Sequence, residues 1–130
     1  MGTRSLTYVF DNKTPILCLY RQYDGYPSGH GAELAEFLKG KRLVNGMSGD
    51  TSMVFNGMGC LAASLVANFK TAAGQFYIHA PIEGRDDCQD YEYHVYADKI
   101  RVVSCYGDKE VIFLGSWADF EQFCTEKEEA

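Results

Sequence analysis

Alternating apolar and polar positions predict strands at the start of the chain. The segment Leu6–Phe10 places large apolar side chains at every second position, with Thr7 and Val9 between them, which is the two-residue period of a strand. A turn at residues 11–13 leads into a second strand, Ile16–Gln22, which is apolar on both faces over most of its length. A strand of that kind belongs inside a sheet, so we expect it to be central.

The strongest helical pattern follows Asn56. Apolar residues recur there at helical spacing and form one continuous stripe, made of Met58, Leu61, Ala62, Leu65, Val66 and Phe69. This stripe predicts a central core helix that ends near Gly74. Two further helices are predicted, one that starts after Ser28 and ends at Gly40 and one at residues 116–127.

The second half of the chain is rich in strands. Short turns separate apolar segments in an order typical of an antiparallel meander, and these segments are Gln75–Ala80, Tyr91–Ala97, Ile100–Tyr106 and Glu110–Leu114. We therefore predict an α+β fold, with an antiparallel sheet of five or six strands packed against the helix that starts at Asn56. A length of 130 residues favours a single domain over residues 1–130.

Residues 40–57 form a long segment rich in Gly, Ser, Asn and Asp. A structureless loop of this length is unusual in a compact domain. It is typical either of a functional lid or rim or of a surface excursion, and the sequence leaves both open.

The formal charge of −6 and the pI near 4.9 exclude broad binding to the nucleic-acid backbone, which needs clustered Lys and Arg. Acidic side chains concentrate in residues 86–90 and in the C-terminal tail. Such clusters are usually solvated, and a minority attract a basic partner surface. The first cluster consists of Asp86, Asp87 and Asp90.

Cysteine and histidine spacing indicates neither a metal site nor a disulfide framework. The five cysteines contain no CxxC pair and the three histidines have no helical i, i+4 pair. We therefore predict reduced thiols, no metal and no cofactor. No apolar run reaches transmembrane length and no signal-peptide core is present, so we expect the protein to stay in the cytosol of the cell that makes it.

The stretch Tyr20–Leu38 is the most distinctive part of the chain. Gly and Pro residues break it into a strand, a turn and a helix, with Ser28 as the expected N-cap. Amides in the first turn of a helix lack intrahelical acceptors and lie at the positive end of its dipole. Glycines there would let an anion approach the backbone. The alternative is a tight turn in which the glycines serve geometry only.

A second helix start, at Asn56, has the same chemistry, so we expect both helix starts to face one anion. With the cation and the aromatic rings near the first start, the predicted ligand-binding set is Tyr20, Arg21, Tyr23, Asp24, Tyr26, Ser28, Gly29, His30, Gly31, Asn56, Gly57 and Gly59. We expect residues 24–31 to lie exposed at the end of the sheet as one wall of a pocket.

Four stretches resemble a family of small phage and prophage proteins, and the resemblance covers nearly the whole chain. They are YRQYDGYPSGHG at residues 20–31, NGMGCLAASLVANFK at 56–70, YEYHVY at 91–96 and LGSWADFEQFC at 114–124. The resemblance implies a virus-encoded protein that acts in the cytoplasm of a host cell. The family has no established catalytic set, so no catalytic residue is carried over.

Three functions compete at this point. The first is a binding protein that counters host defence by sequestering a small anionic signal of the nucleotide type. The second is an inhibitor that binds a host defence protein directly, such as a CRISPR effector. The third is a hydrolase with Cys60 as nucleophile and His79 or His94 as base. Small residues on the core helix and many strand tyrosines also predict a homo-oligomer.

Overall fold

A computed structural model describes residues 2–46 and 52–129. Within these ranges, six strands form one sheet in the order β5-β2-β1-β6-β7-β8, and two short strands pair separately. The strands are β1 (Ser5–Asp11), β2 (Thr14–Arg21), β3 (Arg42–Val44), β4 (Val54–Asn56), β5 (Phe76–His79), β6 (Tyr91–Val95), β7 (Ile100–Ser104) and β8 (Glu110–Gly115). The helices are a π-helical turn (Pro27–Gly31), α1 (Ala32–Leu38), α2 (Gly57–Phe69) and α3 (Trp117–Glu129).

The α+β prediction is confirmed, but the sheet is mixed and not wholly antiparallel. Strands β6, β7 and β8 form the predicted antiparallel meander. Strand β5 instead pairs with β2 at the far edge, and β6 pairs with β1 in parallel, Ser5 opposite Tyr91. The reason is the connection at residues 80–90, which crosses one face of the sheet before the chain returns as β6. A crossover of this kind brings two strands together in parallel.

The two faces of the sheet are covered differently. On the face that we call the helical face, α1, α2 and α3 pack against strand residues such as Val9, Leu19 and Tyr93. On the opposite face, which we call the loop face, the crossing connection packs over a smaller cluster, and the Tyr8 hydroxyl donates to the Ile82 carbonyl at 2.9 Å. That cluster consists of Leu6, Tyr8, Phe10, Cys18 and Tyr20.

Helix α2 is the core helix that the sequence predicts. Met58, Leu61, Leu65 and Phe69 of the predicted stripe are buried, and Leu61 and Leu65 are fully buried. The helix ends at Phe69 and not near Gly74, because the chain leaves the helix at Lys70 and turns back toward β5.

The segment at residues 40–57 contains regular structure, so the prediction of a structureless loop is wrong at its two ends. Strands β3 and β4 pair in parallel, with Arg42 opposite Val54 and Val44 opposite Asn56. The middle of the predicted loop, residues 47–51, lies outside the described residues. Strand β4 leads directly into α2 and thereby fixes where that helix starts.

Two glycines differ in a way that tests the packing. A methyl group on Gly25 would lie 2.8 Å from Ser5 Cβ and 2.9 Å from the Arg4 carbonyl carbon, whereas a methyl group on Gly59 would meet nothing within 4 Å. We expect Gly25→Ala to lower the free energy of unfolding by about 1–3 kcal/mol, because it forces the backbone apart.

Gly59→Ala serves as the matched control, since it makes the same chemical change inside α2. It should raise the free energy of unfolding by up to about 1 kcal/mol through better helix propensity. Urea denaturation of both variants measures the difference, and equal effects at the two positions would contradict the packing described for Gly25.

Candidate functional site

Arg21, predicted to face an anion, is instead buried inside the protein. It is only 4% exposed, at the end of β2 on the helical face. Its Nε donates to the Tyr23 carbonyl at 2.6 Å, and one terminal nitrogen donates to His30 Nδ1 at 3.2 Å. The other terminal nitrogen lies 3.0 Å from a Glu33 carboxylate oxygen, and the guanidinium lies 5.0 Å from the centre of the Phe76 ring. These internal partners satisfy the hydrogen-bond donors of the guanidinium group.

His30 is also a structural residue. Because an arginine can only donate, His30 Nδ1 must accept from Arg21, so Nε2 carries the proton and donates to Thr7 Oγ1 at 2.7 Å. The ring packs against Phe69 and Tyr93, each with ring centres 5.0 Å away. Burial, reinforced by the charge of Arg21, lowers the pKa of His30 to about 3. The imidazole is therefore neutral near pH 7, and its single N–H is already donated to Thr7, so it has none to offer an anion.

Backbone amides of the glycine-rich turn are hydrogen bonded within the protein. Residues 27–31 form a π-helical turn, so α1 starts at Ala32 and Ser28 is not its N-cap. The amide of His30 donates to the Asp24 carbonyl at 2.8 Å, and the amide of Gly29 donates to the Tyr26 carbonyl at 2.9 Å. The expectation of free first-turn amides at this position is wrong, because loop carbonyls satisfy them.

Gly31 packs under α3 and does not line an open pocket. A methyl group on it would lie 2.9 Å from Cys124 Sγ and 3.4 Å from the Tyr93 ring. The Tyr93 hydroxyl donates to the Gly25 carbonyl at 2.7 Å and holds the other end of the turn. The turn is therefore partly covered by the sheet and α3, contrary to the expectation that residues 24–31 are exposed as a pocket wall.

The predicted tyrosines lie on different surfaces. Tyr20 projects onto the loop face and stacks on His79 at a ring distance of 4.8 Å, away from Arg21 on the helical face. Tyr23 and Tyr26 are exposed at the turn. The predicted grouping of one cation with three aromatic rings is not present.

The second glycine-opened helix start lies far from the first. Asn56 precedes α2 without a side-chain cap, and its Oδ1 accepts from the Gly46 amide at 2.9 Å. The turn at residues 27–31 contacts α2 at the C-terminal end of that helix, where His30 packs on Phe69. At 1.5 Å per residue the two ends of α2 are about 18 Å apart. Gly57 and Gly59 therefore cannot share an anion with the turn at residues 27–31.

The predicted catalytic grouping is separated by the sheet. Cys60 packs beside the core of the helical face. His94 packs edge-on against Tyr8 on the loop face at a ring distance of 5.3 Å, and His79 stacks on Tyr20 on the same face. Neither imidazole reaches the Cys60 thiol, so the hydrolase hypothesis has no base in this geometry.

The acidic cluster at residues 86–90, which the sequence offers as a surface for a basic partner, is largely hydrogen bonded within the protein. An Asp87 oxygen accepts from Arg85 at 2.6 Å and lies 2.8 Å from His79 Nδ1. Asp86 accepts from the Cys88 amide at 3.0 Å. These bonds hold the crossing connection in shape over the loop face, and the pairing of Asp87 with Arg85 leaves less charge for a partner.

A buried polar network lies beside the crossing connection. It was not predicted from the sequence. Glu92 is 3% exposed and accepts hydrogen bonds from His94 at 3.0 Å, Gln89 at 2.8 Å and Lys109 at 2.9 Å. Burial alone would raise its pKa, but these three bonds outweigh burial and lower the pKa to about 2. The signal in the sequence is that Glu92 and His94 are two residues apart on a strand and so share a face.

A cavity of about 470 Å³ is the candidate binding site. It lies where the end of α1, the segment before β3, the turn between β6 and β7, and the start of α3 come together. Thirteen residues line it: Ala35, Leu38, Lys39, Gly40, Lys41, Arg42, Leu43, Ala97, Asp98, Ser116, Trp117, Ala118 and Glu121.

The cavity is locally positive in an acidic protein. Its lining carries three basic and two acidic side chains, a formal charge of +1 against −6 for the whole chain. Lys39 forms an exposed ion pair with Glu121 at 3.4 Å, and Lys41 bonds to the Phe37 carbonyl and lies over its ring. Arg42 is exposed and has no ion-pair partner among the residues that the structure describes.

Trp117 supplies a fixed aromatic surface at the same cavity. Its indole nitrogen donates to the Tyr96 carbonyl at 3.1 Å, and its ring packs edge-on against Phe55. The sequence contained a signal for this site, since residues 39–42 read KGKR and place three basic residues within four positions.

Within residues 2–46 and 52–129, no group of three or more His, Cys, Asp or Glu side chains is placed to hold a metal ion. No helix in that part of the chain has the length and apolar character to cross a membrane.

Comparison with protein-family models, with curated proteins and with solved structures gives no match. The resemblance to phage proteins therefore stays a prediction, and the functional argument rests on the geometry of the cavity.

Replacing Arg21 should destabilise the fold. Arg21→Ala leaves the Tyr23 carbonyl and His30 Nδ1 without their buried donor, so we expect the free energy of unfolding to fall by about 3 kcal/mol or more. Arg42→Ala, the same change at an exposed position, should alter it by less than about 0.5 kcal/mol. Urea denaturation compares the two variants, and similar small losses in both would show that Arg21 is not structural.

Acid should destabilise the protein in two overlapping ranges. The pKa of His30 is about 3 when folded and 6.5 as its ordinary value. The unfolded chain therefore binds the extra proton as the pH falls from 6.5 toward 3, and stability drops by up to about 1.4 kcal/mol per pH unit. Glu92, with a folded pKa of about 2 against 4.5, stabilises the fold above pH 4.5 and loses this effect toward pH 2.

Urea denaturation at pH 6.5, 5.5 and 4.5, with NMR titration of the His30 ring, measures this dependence. The folded-state ring should stay neutral throughout. Glu92→Gln is the control. It removes only the loss of stability that occurs below pH 4.5, so the dependence between pH 6.5 and 4.5 should remain. A His30 that titrates near pH 6.5 in the folded protein would disprove the assignment.

Proposed function

We propose that the protein binds a small anionic ligand of the nucleotide type in the cavity between α1 and α3. The observation that carries this proposal is the combination of three cations and a fixed indole around one cavity in an otherwise acidic chain. The binding class is the one predicted from the sequence, and the location is different.

The dimensions of the cavity support the proposal. A volume of about 470 Å³ falls within the range of roughly 300–1,000 Å³ that is usual for small-molecule sites. The lining combines apolar residues, such as Leu38, Leu43 and Trp117, with five charged residues. This mixture suits a ligand that has both an apolar ring and a charged group.

The charged groups suit an anionic ligand such as a phosphate. Arg42 offers a planar fork of donors that matches phosphate oxygens, and Lys39 and Lys41 offer point charges beside it. The ion pair of Lys39 with Glu121 is exposed, and exposed pairs contribute little stability. A phosphate can therefore displace Glu121 from Lys39 at small cost.

The indole of Trp117 favours a ligand that carries a planar ring. Its hydrogen bond to the Tyr96 carbonyl fixes its orientation before a ligand arrives, and stacking of a base on an aromatic ring contributes roughly 1–3 kcal/mol. In the setting that the phage resemblance implies, such binding would remove a nucleotide signal from the host cytoplasm. Direct inhibition of a host protein is less well supported, because Asp86 and Asp87 are engaged internally.

Arg42→Ala should weaken nucleotide binding at least tenfold without unfolding the protein, since a charge-assisted hydrogen bond contributes about 1.5–3 kcal/mol. A thermal-shift screen of the wild type with nucleoside mono- and diphosphates and cyclic nucleotides identifies the probe. Calorimetry then compares dissociation constants for the wild type and the variant.

Lys13→Ala is the control for net charge, because Lys13 is an exposed cation in the turn between β1 and β2. It should leave the dissociation constant nearly unchanged. The proposal is wrong if none of these nucleotides stabilises the wild type, or if the two variants weaken binding equally.

A further inference from the structure

The two edge strands of the six-stranded sheet are protected to different degrees. At β5, Lys70 Nζ donates to the Phe76 carbonyl at 2.9 Å and to the Gly74 carbonyl at 2.9 Å. Lys70, which follows α2, thereby satisfies a backbone acceptor of this edge strand from outside the sheet. At β8, the opposite edge, the described residues include no side chain that hydrogen bonds to the strand backbone.

A bulge in β8 gathers its exposed apolar side chains on one face. Val111 lies opposite Val103, and Leu114 lies opposite Arg101, with the register shifted by one residue between these pairs. Because of this shift, Val111 and Leu114 project on the same face although they are three positions apart. They are 53% and 59% exposed.

We propose that β8 pairs antiparallel with β8 of a second copy of this chain across a twofold axis. Antiparallel pairing about the centre of β8 would set Val111 against Leu114 of the partner subunit, and Leu114 against Val111 of the partner subunit. All four exposed aliphatic side chains then meet on one face, and the sheet continues from one copy into the other.

The sequence of β8 favours a second copy as the occupant. A twofold axis requires that each residue and its partner be equally far from the centre of the strand, and Val111 and Leu114 meet that condition in EVIFLG. Glu110 would lie opposite Gly115 of the partner subunit, so no like charges face each other. This docking is independent of the cavity between α1 and α3 and of any ligand there.

The mass in solution tests the proposal. Light scattering on the wild type at 100 µM should give a dimer, and the dimer should strengthen with added salt, because each copy carries −6. Leu114→Asp should raise the dimer dissociation constant at least tenfold. Ile78→Asp on β5 is the matched control, since Ile78 and Leu114 are both 59% exposed, and it should leave the dimer intact.

Engineered cysteines test the register. In a background in which Cys60, Cys88 and Cys105 are replaced by serine, a mixture of the Val111→Cys and Leu114→Cys proteins should form a disulfide-linked dimer on mild oxidation. Each variant alone should form several-fold less. A monomer mass for the wild type, a dimer that resists Leu114→Asp, or equal cross-linking in the separate variants would overturn the proposal.

Discussion

The fold depends on neutralising one buried cation. Arg21 cannot lose its proton at any pH at which the protein is folded, so its burial at the end of β2 requires fixed acceptors around it. The chain supplies them from three places: the Tyr23 carbonyl in the following turn, His30 in the π-helical turn and Glu33 in α1. The position of α1 against the sheet follows from this requirement, and His30 in turn reaches Thr7 on β1.

The same requirement explains why the most distinctive stretch of the sequence resembles an anion site. A cation, a histidine and closely spaced glycines are what an anion site needs, and also what a buried guanidinium needs when a turn must wrap around it. Local sequence does not separate the two cases, because the deciding contacts come from Phe69, Tyr93 and Cys124, which lie far along the chain. Burial then converts His30 from a proton donor into a neutral acceptor for Arg21.

The hydrophobic periodicity of the sequence predicted elements whose packing follows from their local residue pattern. It did not predict strand pairings that depend on segments distant in the chain. The stripe of α2 and the β6–β8 meander are local signals, so both were predicted. The parallel pairing of β1 with β6 depends on the path of the connection at residues 80–90, which has no period of its own. The cavity was missed for a similar reason, since its walls at residues 39–43, 97–98 and 116–121 converge only in the folded chain.

The acidic character of the chain and the positive cavity are compatible, because they act over different distances. A polyanion such as nucleic acid extends beyond the Debye length of about 10 Å and is repelled by the net charge of the whole surface. A small anion inside the cavity lies mainly in the local field of Lys39, Lys41 and Arg42. Net negative charge therefore rejects large competitors for the same cations, while Glu121 pairs with Lys39 when the cavity holds no ligand. The charge distribution thus favours selectivity for small ligands and does not by itself require high affinity.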